Sequence, residues 1–137
     1  MSGPKPTPVV TPETQPFWEG CRRQELWIQR CDRCQACYFY PRPSCPTCGL
    51  GDQVSWVRCS GKATLHSYVI SHLTAPGYED ETPYVLAVVE LEEGPRMMTN
   101  VVGVPAEPDA LELDMQLAVC FEARGDAMVP LFRPVPA

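Results

Sequence analysis

Two cysteine pairs are the part of this sequence best suited to chemistry: Cys31-Asp32-Arg33-Cys34 and Cys45-Pro46-Thr47-Cys48, the second followed by Gly49. A turn with two residues between its thiols points both sulfurs to one side and lets backbone N–H groups approach them. Ten residues separate the pairs, enough for a short excursion that returns the second turn over the first. Zn²⁺ accepts four thiolates at tetrahedral positions, so Cys31, Cys34, Cys45 and Cys48 are expected to hold one structural zinc ion. Iron in the same S₄ cage is the chemical alternative, because ligand type does not separate the two metals. Four thiolates leave no open coordination position, and no Lewis-acid role is expected of the ion.

Cys37 extends the first pair to C-x₂-C-x₂-C, but the C-x₃-C-P completion of a ferredoxin run is missing. It is expected at the base of the first hairpin as a non-ligating thiol, with replacement of Cys34 as the alternative. Cys21, Cys59 and Cys120 read as small buried hydrophobes. Arg58 and Lys62 lie near Cys59 in sequence, a faint case for an activated nucleophile and no more. His66 and His72 would share a strand face, where a surface or hydrogen-bonding role is the expectation.

The elements that must position these residues are mostly strands. Residues 1–15 hold four prolines and few large apolar side chains, and are expected to be a disordered tail. Residues 16–30 read as a helical segment beginning at Pro16, shortened by Gly20, followed by the lead-in strand Leu26–Arg30. Residues 31–52 give turn, short strand, proline loop and second turn, the order of a zinc ribbon. From residue 53 to 137 the pattern is all-β. The apolar run Val85–Val89 is its strongest strand, and Glu92-Glu93-Gly94-Pro95 reads as a hairpin turn. Five or so strands in that stretch suit a small closed barrel, which removes exposed sheet edges. Gly61 is expected to allow a turn or a close backbone approach.

Charge excludes one function class more than others. Seven basic residues face four acidic ones from Glu19 to Lys62, but three face twelve from Ala63 to Ala137, within a net charge of −6. A general nucleic-acid binder should show a dominant positive footprint, and this chain has none. No charged start followed by an apolar run opens the sequence, and no stretch of eighteen apolar residues occurs, so neither secretion nor a membrane span is expected. A reducing cytoplasm suits the unpaired thiols. Phe17, Trp18, Trp27, Tyr38, Phe39 and Tyr40 are dense for a segment with little core of its own. Their surplus is expected at a protein interface, where aromatic side chains give large contact area at modest entropy cost. Arg22, Arg23, Arg42 and Arg58 are candidates for rim charges or phosphate contacts.

The order of these motifs resembles the DUF35 OB-fold family. Phe17-Trp18-Glu19, Leu26–Arg30 leading into Cys31-x-x-Cys34, Tyr40-Pro41-Arg42-Pro43 and Cys45-Pro46-x-Cys48-Gly49 carry the resemblance. It continues through Trp56, Gly61, Pro83-Tyr84-Val85, the Val89–Arg96 stretch and Pro130–Pro134. It implies a mostly β protein with an N-terminal helical segment, a rubredoxin-like zinc ribbon and a C-terminal OB-fold β-barrel. It further implies a cytoplasmic hetero-oligomer: a non-catalytic subunit beside a thiolase-like protein, either a thiolase or a retro-aldolase, acting on coenzyme A thioesters. A hot-dog-fold enoyl-CoA hydratase is a further partner on this basis. The family's interface segment falls on Phe17-Trp18, and the four arginines become candidate contacts to coenzyme A phosphates. Gly61-Lys62-Ala63 departs from the family's glycine-x-glycine turn. The competing function is an OB-fold module for single-stranded nucleic acid, in which aromatic residues stack on bases.

Overall fold

Thr11 Oγ1 and Thr14 Oγ1 lie 3.0 Å apart just before the first helix, and the Thr14 N–H donates to Thr11 O at 3.0 Å. The helix that follows, α1 (Gln15–Arg22), has proline in its first turn, where the missing N–H costs nothing. It buries Phe17, Gly20 and Cys21 and ends as Arg23 and Glu25 N–H groups close on Gly20 O. The structure, a computed structural model, describes residues 5–49 and 54–135. Residues 1–4 of the expected tail and residues 50–52 of the expected ribbon lie outside the described residues.

Strand β1 (Trp27–Cys31) is the centre of a three-stranded antiparallel sheet, flanked by β2 (Cys37–Tyr38) and β3 (Val54–Arg58). The expected boundary at residue 53 falls just before β3. Its full length pairs with β1, from Trp27 opposite Arg58 to Cys31 opposite Val54, so it belongs to the sheet of the ribbon. Alternation marks a strand, but not which strand it pairs with.

The barrel closes in the order β4-β5-β6-β8-β7, from β4 (Lys62–Ser71), β5 (Tyr84–Leu91), β6 (Arg96–Val101), β7 (Gln116–Arg124) and β8 (Ala127–Pro134). All neighbours are antiparallel except β6 and β8, which meet in parallel at Val101 and Phe132. Val85, Ala87, Val89 and Leu91 alternate inward along β5 and pack with Leu65, Leu117 and the fully buried Phe132. The same core takes in Phe17 from α1 and Leu26 and Ile28 beside and on β1, so helix, ribbon base and barrel share one interior. Gly61 leads into the barrel with φ +84°. A Cβ there would lie 2.8 Å from Val119 Cγ1, the close approach that glycine permits. Glu93 accepts the Ser60 N–H at 2.9 Å and ties this link to the β5–β6 hairpin.

The expectation of a disordered tail to residue 15 differs from the structure at both ends of its described part. Gln15 opens α1. Lys5 lies across the barrel with its ammonium 2.8 Å from Glu81 and 2.9 Å from Glu122. A proline-rich composition carries no sign of such a contact, because two carboxylates distant in sequence, one on the loop before β5 and one on β7, create it.

Candidate metal centre and aromatic groove

The two cysteine turns are built alike. The Gln35 N–H donates to Cys31 O at 2.8 Å and the Gly49 N–H to Cys45 O at 2.8 Å, so each turn closes on its own first cysteine. In each, the first cysteine is buried and the second exposed. The four sulfurs of Cys31, Cys34, Cys45 and Cys48 lie within 4.8 Å of one another, with Cys31–Cys48 and Cys34–Cys45 both at 3.6 Å. A tetrahedral ion with bonds of about 2.3 Å sets sulfurs about 3.8 Å apart, so the array is of the size that Zn²⁺ spans.

The backbone adds to that fit. Thr47 and Cys48 N–H groups donate to Cys45 Sγ at 3.3 and 3.5 Å. The Cys48 N–H, with help from that of Thr47, holds the Cys45 thiol down to about 6 against the effect of burial. The Cys34 N–H likewise lowers Cys31. Cys34 is different: the Ala36 N–H favours its thiolate, yet burial and its contacts with Cys31 and Cys45 push it up to about 11. Four thiols this close cannot all ionise unless a cation joins them. The donor set therefore fits a closed structural site, with Cys31, Cys34, Cys45 and Cys48 as the residues that would hold the ion.

Cys37 stands apart from this group on β2, half-buried, and burial raises its thiol. Cys21 is fully buried and pushed up to about 12, and Cys59 is raised by burial and by Glu93 beside it. Neither is an activated nucleophile. Cys120 is only half-buried, against the expectation for it.

The six aromatic residues expected at an interface divide. Phe17 and Tyr38 are 4% and 6% exposed and serve the interior. Tyr38 also donates its hydroxyl to Arg42 O at 3.1 Å, which pins the proline loop. Trp27 is held by its indole N–H donating to Glu25 at 2.9 Å. Trp18, Phe39 and Tyr40 remain accessible and, with Phe17, form a chain of ring contacts at 4.8, 5.4 and 4.1 Å. They wall a groove of about 370 Å³ between α1, the Phe39–Pro41 loop and the barrel, floored by Met98 and Val129. The Met98 N–H donates to the Tyr40 hydroxyl oxygen at 3.3 Å and fixes the loop to β6. No periodicity announces this groove, because its walls come from three separated segments.

The four arginines divide too. Arg23 and Arg58 converge on Glu25, at 3.2 and 3.6 Å, and these contacts lower the Glu25 carboxyl together with the Trp27 hydrogen bond, the largest contribution. Arg22 and Arg42 are exposed. Among the described residues, no helix is long and apolar enough to cross a membrane.

The likeness to known proteins follows the same two units. Residues 18–55 match the family described as ChsH2, rubredoxin-like zinc ribbon domain, and residues 56–122 match ChsH2, C-terminal OB-fold domain. The chain is 36% identical over 95% of its length to the "Probable enoyl-CoA hydratase alpha subunit" of Thermomonospora curvata, and spans 40% of that protein. It is 32% identical to the "DUF35 domain-containing scaffold protein" of Methanothermobacter thermautotrophicus, over 80% of this chain and 81% of that one. Among solved structures, a chain of the "Ltp2-ChsH2(DUF35) aldolase" superposes with a TM-score of 0.81 at 33% identity, covering 93% of this chain and 98% of that one. The zinc-ribbon match and the four-thiol cluster together support a structural zinc. This chain therefore belongs to the DUF35 family of zinc-ribbon and OB-fold proteins.

Proposed function

We propose that this protein is a non-catalytic accessory subunit of a thiolase-like enzyme, a thiolase or a retro-aldolase, that acts on acyl-coenzyme A thioesters. Cys31, Cys34, Cys45 and Cys48 hold one structural zinc that fixes the ribbon. The ribbon in turn sets the Phe39–Pro41 loop against α1. Trp18, Phe39 and Tyr40 then present a rigid aromatic face to the partner, and the subunit stabilises that partner and helps shape its acyl-CoA site. Arg22 and Arg42, both exposed, are the arginines left to meet a coenzyme A phosphate.

The observation that carries this proposal is the aromatic groove, a concave apolar surface in which Tyr40 is 49% and Met98 61% exposed. Clustered aromatic anchors of this kind dominate binding energy at protein interfaces. The solved structure titled "Ltp2-ChsH2(DUF35) aldolase" superposes on 93% of this chain, which supports the same reading.

Co-expression with a thiolase-like partner and size-exclusion chromatography test the proposal. One co-eluting complex is expected, with partner activity dependent on this subunit. Replacing both Trp18 and Tyr40 by alanine should weaken the complex by roughly tenfold or more, the scale of an aromatic anchor. Separate elution, with partner activity the same whether or not the chain is present, would reject it.

A further inference from the structure

Lys5 occupies a site built for an ammonium group. Its Nζ lies 2.8 Å from Glu81 Oε2, 2.9 Å from Glu122 Oε1 and 4.7 Å from the centre of the Tyr78 ring. Tyr78 stacks on Tyr84 at 4.8 Å, which holds the ring in place. Arg124 completes the cluster, bonded to Glu122 at 3.3 Å and 5.7 Å from the Tyr78 ring. The Lys5 side chain is only 13% exposed. Three segments distant in sequence converge here: the chain before α1, the loop before β5 and the end of β7. Gly77 lets the first approach the second, since a Cβ on it would lie 2.4 Å from Lys5 Cα. Lys5 also lines one side of a pocket of about 520 Å³, together with Tyr84, Asn100, Cys120 and Phe121.

We propose that residues 5–14 are a releasable strap, locked by the Lys5 ammonium in a cage of two carboxylates and a stacked tyrosine pair, and that undoing the lock removes the Lys5 wall of the pocket and widens access to Cys120. The chemistry of the cage explains why a lysine is held. Without Lys5, Glu81 and Glu122 face the single cation Arg124, so the cage carries net negative charge and an electron-rich ring face. Both favour a compact cation. Charge–charge contacts near the surface are screened by salt, whereas the apolar contacts of the barrel are not. Screening the Lys5 pairs thus weakens the strap without weakening the barrel core. This inference stands apart from the aromatic groove and does not depend on the identity of the partner enzyme.

Cys120, which lines the cavity, reports on the lock. The full-length wild type, K5A and K5R are each treated with N-ethylmaleimide, and labelling is followed peptide by peptide. Cys120 should react about tenfold faster in K5A than in the wild type, with K5R close to wild type. Raising salt towards 1 M should speed Cys120 labelling in the wild type and leave K5A unchanged. Millimolar n-butylammonium, which replaces the missing side chain, should slow Cys120 labelling in K5A. Equal rates in wild type and K5A, or no protection of K5A by n-butylammonium, would overturn the proposal. Equal acceleration at the fully buried Cys21 would do so as well, because it would mean general unfolding.

Discussion

Gln35 and Gly49 occupy equivalent places in the two cysteine turns. Each follows the second cysteine of its pair, each donates its N–H to the first cysteine's carbonyl at 2.8 Å, and each has positive φ, +66° and +78°. The left-handed conformation is costly for a residue with a Cβ and nearly free for glycine. Gln35 offsets part of its cost by donating its side-chain amide to Asp32 O at 2.8 Å.

The two positions should therefore respond differently to alanine. Gly49→Ala meets no neighbouring atom within 4 Å, so its cost is backbone strain alone, about 1–2 kcal/mol. Gln35→Ala already carries that strain and loses one hydrogen bond, about 1 kcal/mol or less. Competition with a metal chelator measures both. Gly49→Ala should release metal at clearly lower chelator concentration than Gln35→Ala, and the reverse order would contradict this account.

Gly20→Ala should destabilise the protein although it improves helix propensity. In an exposed helix the change gains about 1 kcal/mol. Here the added Cβ would lie 2.4 Å from Trp27 Cδ1, on a ring anchored to Glu25. Overpacking of this kind costs about 1–3 kcal/mol and should outweigh the gain. Urea unfolding should show a lower midpoint at unchanged slope. A raised midpoint would mean that the indole moves aside freely.

Much of this architecture is legible in the sequence because it is local. The cysteine spacing, the apolar run of β5 and the turn at Glu92–Pro95 each depend on a few consecutive residues, and each appears in the structure. What depends on distant partners is not legible. Val54–Arg58 reads as a strand, but only folding shows that β1 rather than β4 takes it. Arg23 and Arg58 read as rim charges or phosphate contacts until Glu25 is found between them. Phe17 and Trp18 are adjacent and chemically alike, yet helix geometry sends one inward and leaves the other beside the groove. Lys5 gives no local signal at all.

Metal removal should melt the ribbon tip and leave the barrel folded. Cys31, Tyr38 and Cys45 form a separate small cluster with Val54, too little apolar surface to order the tip without the ion. Leu26 and Ile28, by contrast, are in the interior shared with the barrel. After chelation, hydrogen exchange should lose protection at residues 31–49 and retain it along β5. Loss of protection along β5 at the same chelator concentration would show that the ribbon and barrel unfold as one unit.

Strap closure should hold over a middle range of pH and fail on both sides. Burial alone would raise the Glu122 carboxyl, but the hydrogen bond and charge of Lys5, with Arg124, carry it below its ordinary 4.5. A lowered carboxyl contributes stability that is complete above 4.5 and is lost as pH falls through the folded value. Burial alone would lower Lys5, but Glu81 and Glu122 carry it above its ordinary 10.5. A raised ammonium contributes stability that is complete below 10.5 and is lost as pH rises through the folded value. Tyr78 and Arg124, the other groups against Lys5, add no competing carboxylate. Proteolysis at residues 5–14, with the protease rate normalised on an unstructured peptide at each pH, should be slow between these limits and accelerate towards either. K5A should be cleaved rapidly throughout. A wild-type profile as flat as that of K5A would show that the Lys5 cage does not govern the strap.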